Sequence, residues 1–221
     1  MFSNSFFSRY MDWFHNFNCC LLLGVLVFVF FLFFFLIFRE FYFKSKKIEY
    51  QKGELLCRIF PTLILLFQIV PSLSLLYYYG LINIDSNLTV KVTGHQWYWS
   101  YEYRDIPGLE FDSYMKSVDQ LELGEPRLLE VDNRCVLPLD TNIRFCITSA
   151  DVIHSWTLPS ISIKLDAISG ILCVLNYRFP SLGIFYGQCS EICGANHRFM
   201  PIVLEISLVD NFKSWCVGLE D

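Results

Sequence analysis

The chain has 221 residues, of which 54% are hydrophobic and 18% charged, and its net charge is −5. That apolar share is high for an ordinary soluble domain, and most of the excess lies before about residue 85. Nine cysteines, an odd number, exclude a framework in which every cysteine is paired.

Residues 1–20 read as an N-terminal segment. The first 18 residues hold one basic side chain, Arg9. They lack the apolar stretch of a secretory signal and the Arg-rich pattern of a presequence. The chain is therefore expected to be made inside its own compartment or to have lost a presequence already. Leu21 to Phe38 is an uncharged apolar run, and from Phe28 to Phe38 it is dominated by phenylalanine. A packed core prefers mixed shapes, so so uniform a run fits lipid better. With Trp13, Phe14 and Phe17 ahead of it, it predicts a transmembrane helix over about 21–40. A second apolar run, Ile59 to Ile82, contains Pro61, Gln68 and Pro71 and predicts a second helix over about 57–82. Together they make a hairpin over 21–84. The alternative is a helical hairpin buried in a soluble core, but the rest of the chain is too small to cover it. Between the runs stand Arg39, Lys44, Lys46, Lys47, Lys52 and Arg58. The positive-inside rule puts this loop on the side of synthesis and both termini on the other. Tyr77, Tyr78 and Tyr79 mark the exit of the second helix. Cys19, Cys20 and Cys57 lie in or beside these runs and read as small buried hydrophobes.

After residue 84 short alternating segments appear, divided by turn signals such as Pro107-Gly108 and Asp132-Asn133. Leu88 to Tyr103, Ile143 to Thr148, Ile171 to Tyr177 and Pro201 to Leu208 read as strands. A helical period returns only in the tail after Asp210. The expected architecture is an all-β sandwich or barrel over 85–221. This part carries 18 acidic and 10 basic side chains, a net charge of −8, which suits a basic partner.

The strongest chemical signal runs from Gly187 to Met200, where Cys189, Cys193, His197 and Met200 follow at steps of four, four and three. Gly187, Gly194 and Asn196 argue for a loop, which can curl several soft donors around one point. Thiolate, imidazole and thioether together select copper over hard cations. Two thiolates rather than one can bridge two copper ions. His154, directly after the strand Ile143 to Thr148, supplies a second imidazole. Two rival readings of the cysteine pair stand beside this one: a disulfide, or half of a zinc site that would use His197 and His154 and have no need of Met200. In Gly94-His-Gln-Trp-Tyr-Trp-Ser-Tyr-Glu-Tyr103 the residues Trp97, Trp99, Tyr101 and Tyr103 alternate, as a core-facing stripe would. One of them, at the domain surface, could take in electrons.

These segments, in this order, with the two-helix hairpin and Arg127-Leu-Leu-Glu-Val-Asp-Asn-Arg134, resemble cytochrome c oxidase subunit II over nearly the whole chain, in a mitochondrial, nematode-like form. The resemblance implies a cupredoxin-like copper domain facing the intermembrane space of mitochondria, with the helices in the inner membrane. It implies a binuclear copper A centre held by His154, Cys189, Cys193, His197, Met200 and the carbonyl of Glu191, whose side chain would share a magnesium ion with subunit I. It implies electrons accepted from cytochrome c and passed to haem in subunit I, where oxygen is reduced and protons are pumped. Trp97 matches the electron-input residue, Glu102 and Asp151 match positions for cytochrome c docking, and Glu54 matches the mouth of a proton path. Other oxidase subunits and membrane lipid are expected neighbours; nucleic acid is not. The chain departs from the family at Ser169 and Ile171, which puts an arginine contact toward subunit I in doubt, and at Cys57, where the family has tryptophan. Two rivals remain. A quinol-oxidase type would lack the two cysteines, and a membrane-anchored copper carrier would work without a haem-bearing subunit.

Overall fold

A computed structural model describes residues 6–38, 49–81 and 85–218. The basic residues Arg39, Lys44, Lys46 and Lys47 of the inter-helix loop lie outside the described residues. The chain divides into a helical unit and a β-rich unit.

The helical unit holds α1 (Phe6–Phe38) and α2 (Gln51–Leu81). Both begin earlier than the apolar runs predict, because hydrophobicity marks where a helix can meet lipid and not where its hydrogen bonding starts. No proline or glycine interrupts the chain from Phe6 to Leu23, so the helix continues through the polar stretch. Prolines 61 and 71 stay inside α2. Close to them the hydroxyls of Thr62 and Ser74 donate back to the carbonyls of Arg58 and Val70, each at 2.8 Å, the local side-chain-to-backbone bonding open to a hydroxyl in a helix. Both helices are long and apolar enough to cross a membrane, and neither buries its apolar window within the chain. They pair antiparallel: Gln68 Nε2 donates to Asn18 Oδ1 at 3.1 Å, and the Phe17 and Phe67 rings lie 5.9 Å apart. Cys19, Cys20 and Cys57 are exposed rather than buried, since two helices bury only a stripe of each other.

The second unit is a β-sandwich. A five-stranded sheet runs in the order β3 (Glu110–Ser113), β2 (Tyr98–Tyr103), β1 (Leu88–His95), β5 (Asn142–Ser149), β8 (Cys173–Arg178). A three-stranded sheet has β4 (Cys135–Pro138), β10 (Pro201–Ser207) and β9 (Gly183–Gln188), and β6 (His154–Leu158) pairs with β7 (Ile163–Ala167). Strand β1 runs parallel to β5, and β10 parallel to β4. The tail forms α3 (Val209–Gly218). The segment Leu88 to Tyr103, expected as one strand, is a hairpin: β1 and β2 are antiparallel, with His95 opposite Tyr98. Its turn at Gln96-Trp97 has neither glycine nor proline to announce it, and its peptide bond is cis. Trp99, Tyr101 and Tyr103 are buried as the alternation predicts, whereas Trp97 leaves their face for the turn. The core is closed by Phe145, Trp156, Phe179 and Ile202, all fully buried. Tyr103 crosses between the sheets, its hydroxyl donating to the Val136 carbonyl at 2.6 Å.

Candidate metal centre

The centre forms where three connections meet at one end of the sandwich. The loop from Cys189 to Met200 joins β9 to β10, whose register sets Gln188 opposite Pro201, so both loop ends are clamped together. Cys189 N donates to Met200 O at 3.4 Å, and Ser190 N to Ser155 O at 3.0 Å, which ties the loop to β6. Gln96 of the β1–β2 turn donates through Nε2 to the Cys193 carbonyl at 2.8 Å. Gly187 is required by a close approach: a Cβ there would sit 1.9 Å from the Thr157 carbonyl oxygen. Gly194 takes φ of +125°, which disfavours a side chain, and lies under the Trp97 indole.

These constraints gather the soft donors. The two sulfurs are 4.0 Å apart, twice the length of a disulfide, so the cysteines are free thiols. Cys189 Sγ is 3.9 Å from His154 Nδ1 and 3.3 Å from the Glu191 carbonyl oxygen. Cys193 Sγ is 3.4 Å from His197 Nδ1 and 3.5 Å from Met200 Sδ. The donor atoms of His154, Cys189 and Cys193 all fall within 4.8 Å of one another, the one such metal-ligating group among the described residues. Donors that bind a shared ion at about 2.0–2.3 Å are separated by roughly 3.5–4.3 Å, so the set fits metal with little adjustment. His154, Cys189, Cys193 and Met200 are buried. The thioether beside the sulfur pair favours copper over zinc.

Asp151 has a role that its spacing from His154 alone did not reveal. Its Oδ1 accepts from His154 Nε2 at 2.8 Å, and its Oδ2 accepts from Gln96 N at 2.7 Å. In the neutral imidazole the proton therefore sits on Nε2 and the Nδ1 lone pair faces the sulfur, as carboxylate–histidine pairs do around metals; in the imidazolium, Nδ1 donates to the Cys189 thiolate. Burial opposes charge on both groups, yet their partners win: His154 and the backbone amides of Gln96 and Val152 hold the Asp151 carboxyl below its ordinary value, and Cys189 and then Asp151 raise the His154 imidazole. The thiols split. Burial pushes Cys189 up, but hydrogen bonds from His154 and the backbone outweigh it and bring it down to about 7. Burial and the neighbouring Cys189 charge push Cys193 up to about 12. One thiolate forms readily and opposes the second; a bound cation removes that opposition.

The other predicted residues are spread out. Trp97 is half-buried, against Gly194, with its Nε1 buried and without a hydrogen-bond partner among the described residues. Glu102, on β2, is paired with Lys91 at 3.1 Å and Arg104 at 2.9 Å. The Glu191 residue is half-buried and Ile171 is exposed; Ser169 bridges to Ser149. Glu54 is in the first turn of α2, exposed and 3.7 Å from Arg58. Gln96 escaped sequence reasoning as a site residue, because an amide in a turn carries no metal signal of its own; Gly187, expected in the loop, instead lies within β9, where its lack of a side chain serves packing.

The family model described as "Cytochrome C oxidase subunit II, periplasmic domain" matches residues 88–207. Cytochrome c oxidase subunit 2 of Caenorhabditis elegans is 79% identical over 218 residues, covering 99% of this chain and 94% of its own length. The chain belongs to the cytochrome c oxidase subunit II family. The Ascaris suum subunit 2 is 78% identical over 219 residues, again 99% of this chain and 94% of the relative. The crystal structure of the periplasmic domain of subunit II of cytochrome oxidase from Bradyrhizobium japonicum matches with a TM-score of 0.57 and 46% identity, over 61% of this chain and 94% of that one. As a subunit II, the chain is one component of cytochrome c oxidase. The oxidase resemblance and the fold of two apolar helices followed by a cupredoxin-like sandwich, both legible in the sequence, therefore hold.

Proposed function

We propose that this subunit II is the electron-input component of the oxidase. It accepts electrons from cytochrome c and passes them toward haem in subunit I, which reduces oxygen to water and couples the reaction to proton pumping. The observation that carries the reading is the facing sulfur pair of Cys189 and Cys193, flanked by two imidazoles and a thioether within 3.4–4.0 Å. His154, Cys189, Cys193, His197, Met200 and the Glu191 carbonyl would hold two copper ions, the copper A centre. Such a pair, when bound, supplies a one-electron redox couple. The residues themselves exclude water, since four of them are buried, and the clamped loop resists rearrangement when charge changes.

Trp97 is the proposed point of electron input: it packs on Gly194, next to Cys193, and remains partly exposed. Cytochrome c would dock on the acidic domain around it. Glu102 contributes less to docking than a free carboxylate, because Lys91 and Arg104 already neutralise it. The Glu191 side chain would meet magnesium at the boundary with subunit I, and Glu54 would stand at the mouth of a proton path. The proposed setting is the mitochondrial inner membrane, with both termini and the copper domain in the intermembrane space, among other oxidase subunits and lipid. The quinol-oxidase rival is disfavoured by the two cysteines. The solitary copper-carrier rival is disfavoured by membership of an oxidase subunit family.

Metal analysis and electron paramagnetic resonance of the copper-replete chain test this reading. The expected result is about two coppers with a shared mixed-valence signal, abolished by Cys189→Ser or Cys193→Ser. One tightly held zinc in the presence of available copper would overturn it.

A further inference from the structure

Away from the copper cradle, α1 carries a second set of soft donors. Met11, His15 and Cys19 follow at intervals of four residues, so they share one helical face within an arc of about 80°. All three are exposed. Cys19 Sγ lies 3.8 Å from His15 Nδ1 and 3.7 Å from Nε2. A nitrogen and a sulfur bound to one ion at about 2.0 and 2.3 Å are separated by about 3.5 Å at a tetrahedral angle and about 4.3 Å when opposed. The observed separation falls between these, and a turn of the exposed imidazole about its own bond, to aim one nitrogen at the ion, lets both side chains reach it. The i, i+4 spacing is also the one by which a single helix offers two ligands to a metal. Met11 adds a thioether one turn earlier on the same face.

We propose that Met11, His15 and Cys19 form a mononuclear site for Cu(I). On binding, the Cys19 thiol loses its proton to solvent, Cu–S and Cu–N bonds form, and no electron changes hands. Charge selects the ion as well as softness. Cu(I) with one thiolate and a neutral imidazole is uncharged, whereas Zn(II) with the same ligands keeps a positive charge. The site stands where the polar stretch of α1, with Arg9, Asp12, Asn16 and Asn18, gives way to the uncharged run from Leu21. Beside lipid a neutral complex is the less costly one, and the thiolate–thioether pair prefers copper on softness.

The proposal goes beyond the copper-domain reading and does not rest on it, because its test removes the two thiols of the proposed copper cradle. The full chain carrying Cys189→Ser and Cys193→Ser, held in lipid nanodiscs, is titrated anaerobically with Cu(I) against a chromogenic Cu(I) chelator. It should retain about one equivalent, with two sulfurs, from Cys19 and Met11, and one nitrogen in the first shell by X-ray absorption. Adding Cys19→Ser should abolish retention with helix content by circular dichroism unchanged, while Cys20→Ser, a thiol turned about 100° away on the helix, should not. His15→Ala should weaken binding by at least about tenfold. Failure of the parent variant to retain Cu(I), equal retention after Cys19→Ser, or displacement of Cu(I) by an equal concentration of Zn(II) would each overturn the site.

Discussion

Asp151→Asn separates two roles that one carboxylate can play. As a docking charge, Asp151 would serve only the encounter with a basic partner. In the structure its two oxygens are already engaged, one by His154 Nε2 at 2.8 Å and the other by Gln96 N at 2.7 Å. Asparagine keeps one acceptor oxygen and replaces the other by an amino group. Whichever way the amide turns, a donor then faces either His154 Nε2–H or Gln96 N–H. If it faces His154, the imidazole proton is driven to Nδ1, the atom that looks at Cys189 Sγ, and the ligand lone pair is lost. A hydrogen bond to a charged group contributes about 1.5–3 kcal/mol. The Asp151 side chain is 33% exposed, so screening lowers the expected loss to about 1–2 kcal/mol. At 1.4 kcal/mol per factor of ten, that is a fall in copper affinity of about five- to thirtyfold. A chelator competition titration of the full chain reads this directly, and stopped-flow association with cytochrome c across ionic strength reads docking. Unchanged copper affinity together with a slower, less salt-dependent association would return Asp151 to the docking surface and refute the positioning argument.

Three further outcomes are expected. In Gly187→Ala the new methyl meets the Thr157 backbone, which cannot swing aside as a side chain would, so overpacking of about 1–3 kcal/mol should lower Tm by roughly 5–10 °C and loosen copper retention; an unchanged melting curve would show that β9 has slack. Glu130 is fully buried, bound to Arg134 at 2.9 and 3.0 Å and to the Tyr186 hydroxyl at 2.9 Å. Burial opposes its charge, yet these partners depress its pKa. Its stabilisation is therefore complete above the unfolded carboxylate value of about 4.3 and is lost as pH falls through the lower folded value. Glu130→Gln should destabilise the domain at neutral pH by about 2–3 kcal/mol, below the figure for a fully buried pair because Arg134 is partly exposed and keeps Glu205, and should flatten the acid limb of the denaturation curve against pH. Trp97→Phe should slow the first electron transfer from cytochrome c while leaving its affinity and the copper content unchanged, as flash-induced oxidation kinetics would reveal; an unaltered rate would move the input point elsewhere.

Chemistry carried by residue type and short spacing was legible in the chain alone. The soft-donor loop from Cys189 to Met200 is legible because copper demands sulfur and imidazole whatever surrounds them. The two apolar helices are legible because lipid demands long uncharged runs, and the buried stripe of Trp99, Tyr101 and Tyr103 because a strand alternates its faces. What the fold alone decided depends on groups far apart in sequence or on backbone paths with no residue signature. The alternation from Leu88 to Tyr103 passes straight through the turn at Gln96-Trp97, and it is hydrogen bonding between β1 and β2, with His95 opposite Tyr98, that folds the segment back. Helix α1 begins at Phe6 because backbone hydrogen bonds continue wherever nothing breaks them, a rule indifferent to hydropathy. Asp151 reads as a surface acid until β5, the β1–β2 turn and His154 converge on its two oxygens. Gly187 reads as a loop glycine, yet it lies in β9, where β6 passes so close that a methyl group has no room. Residue type determines which atoms can bind a metal; only the packing of distant strands determines which lone pair faces it.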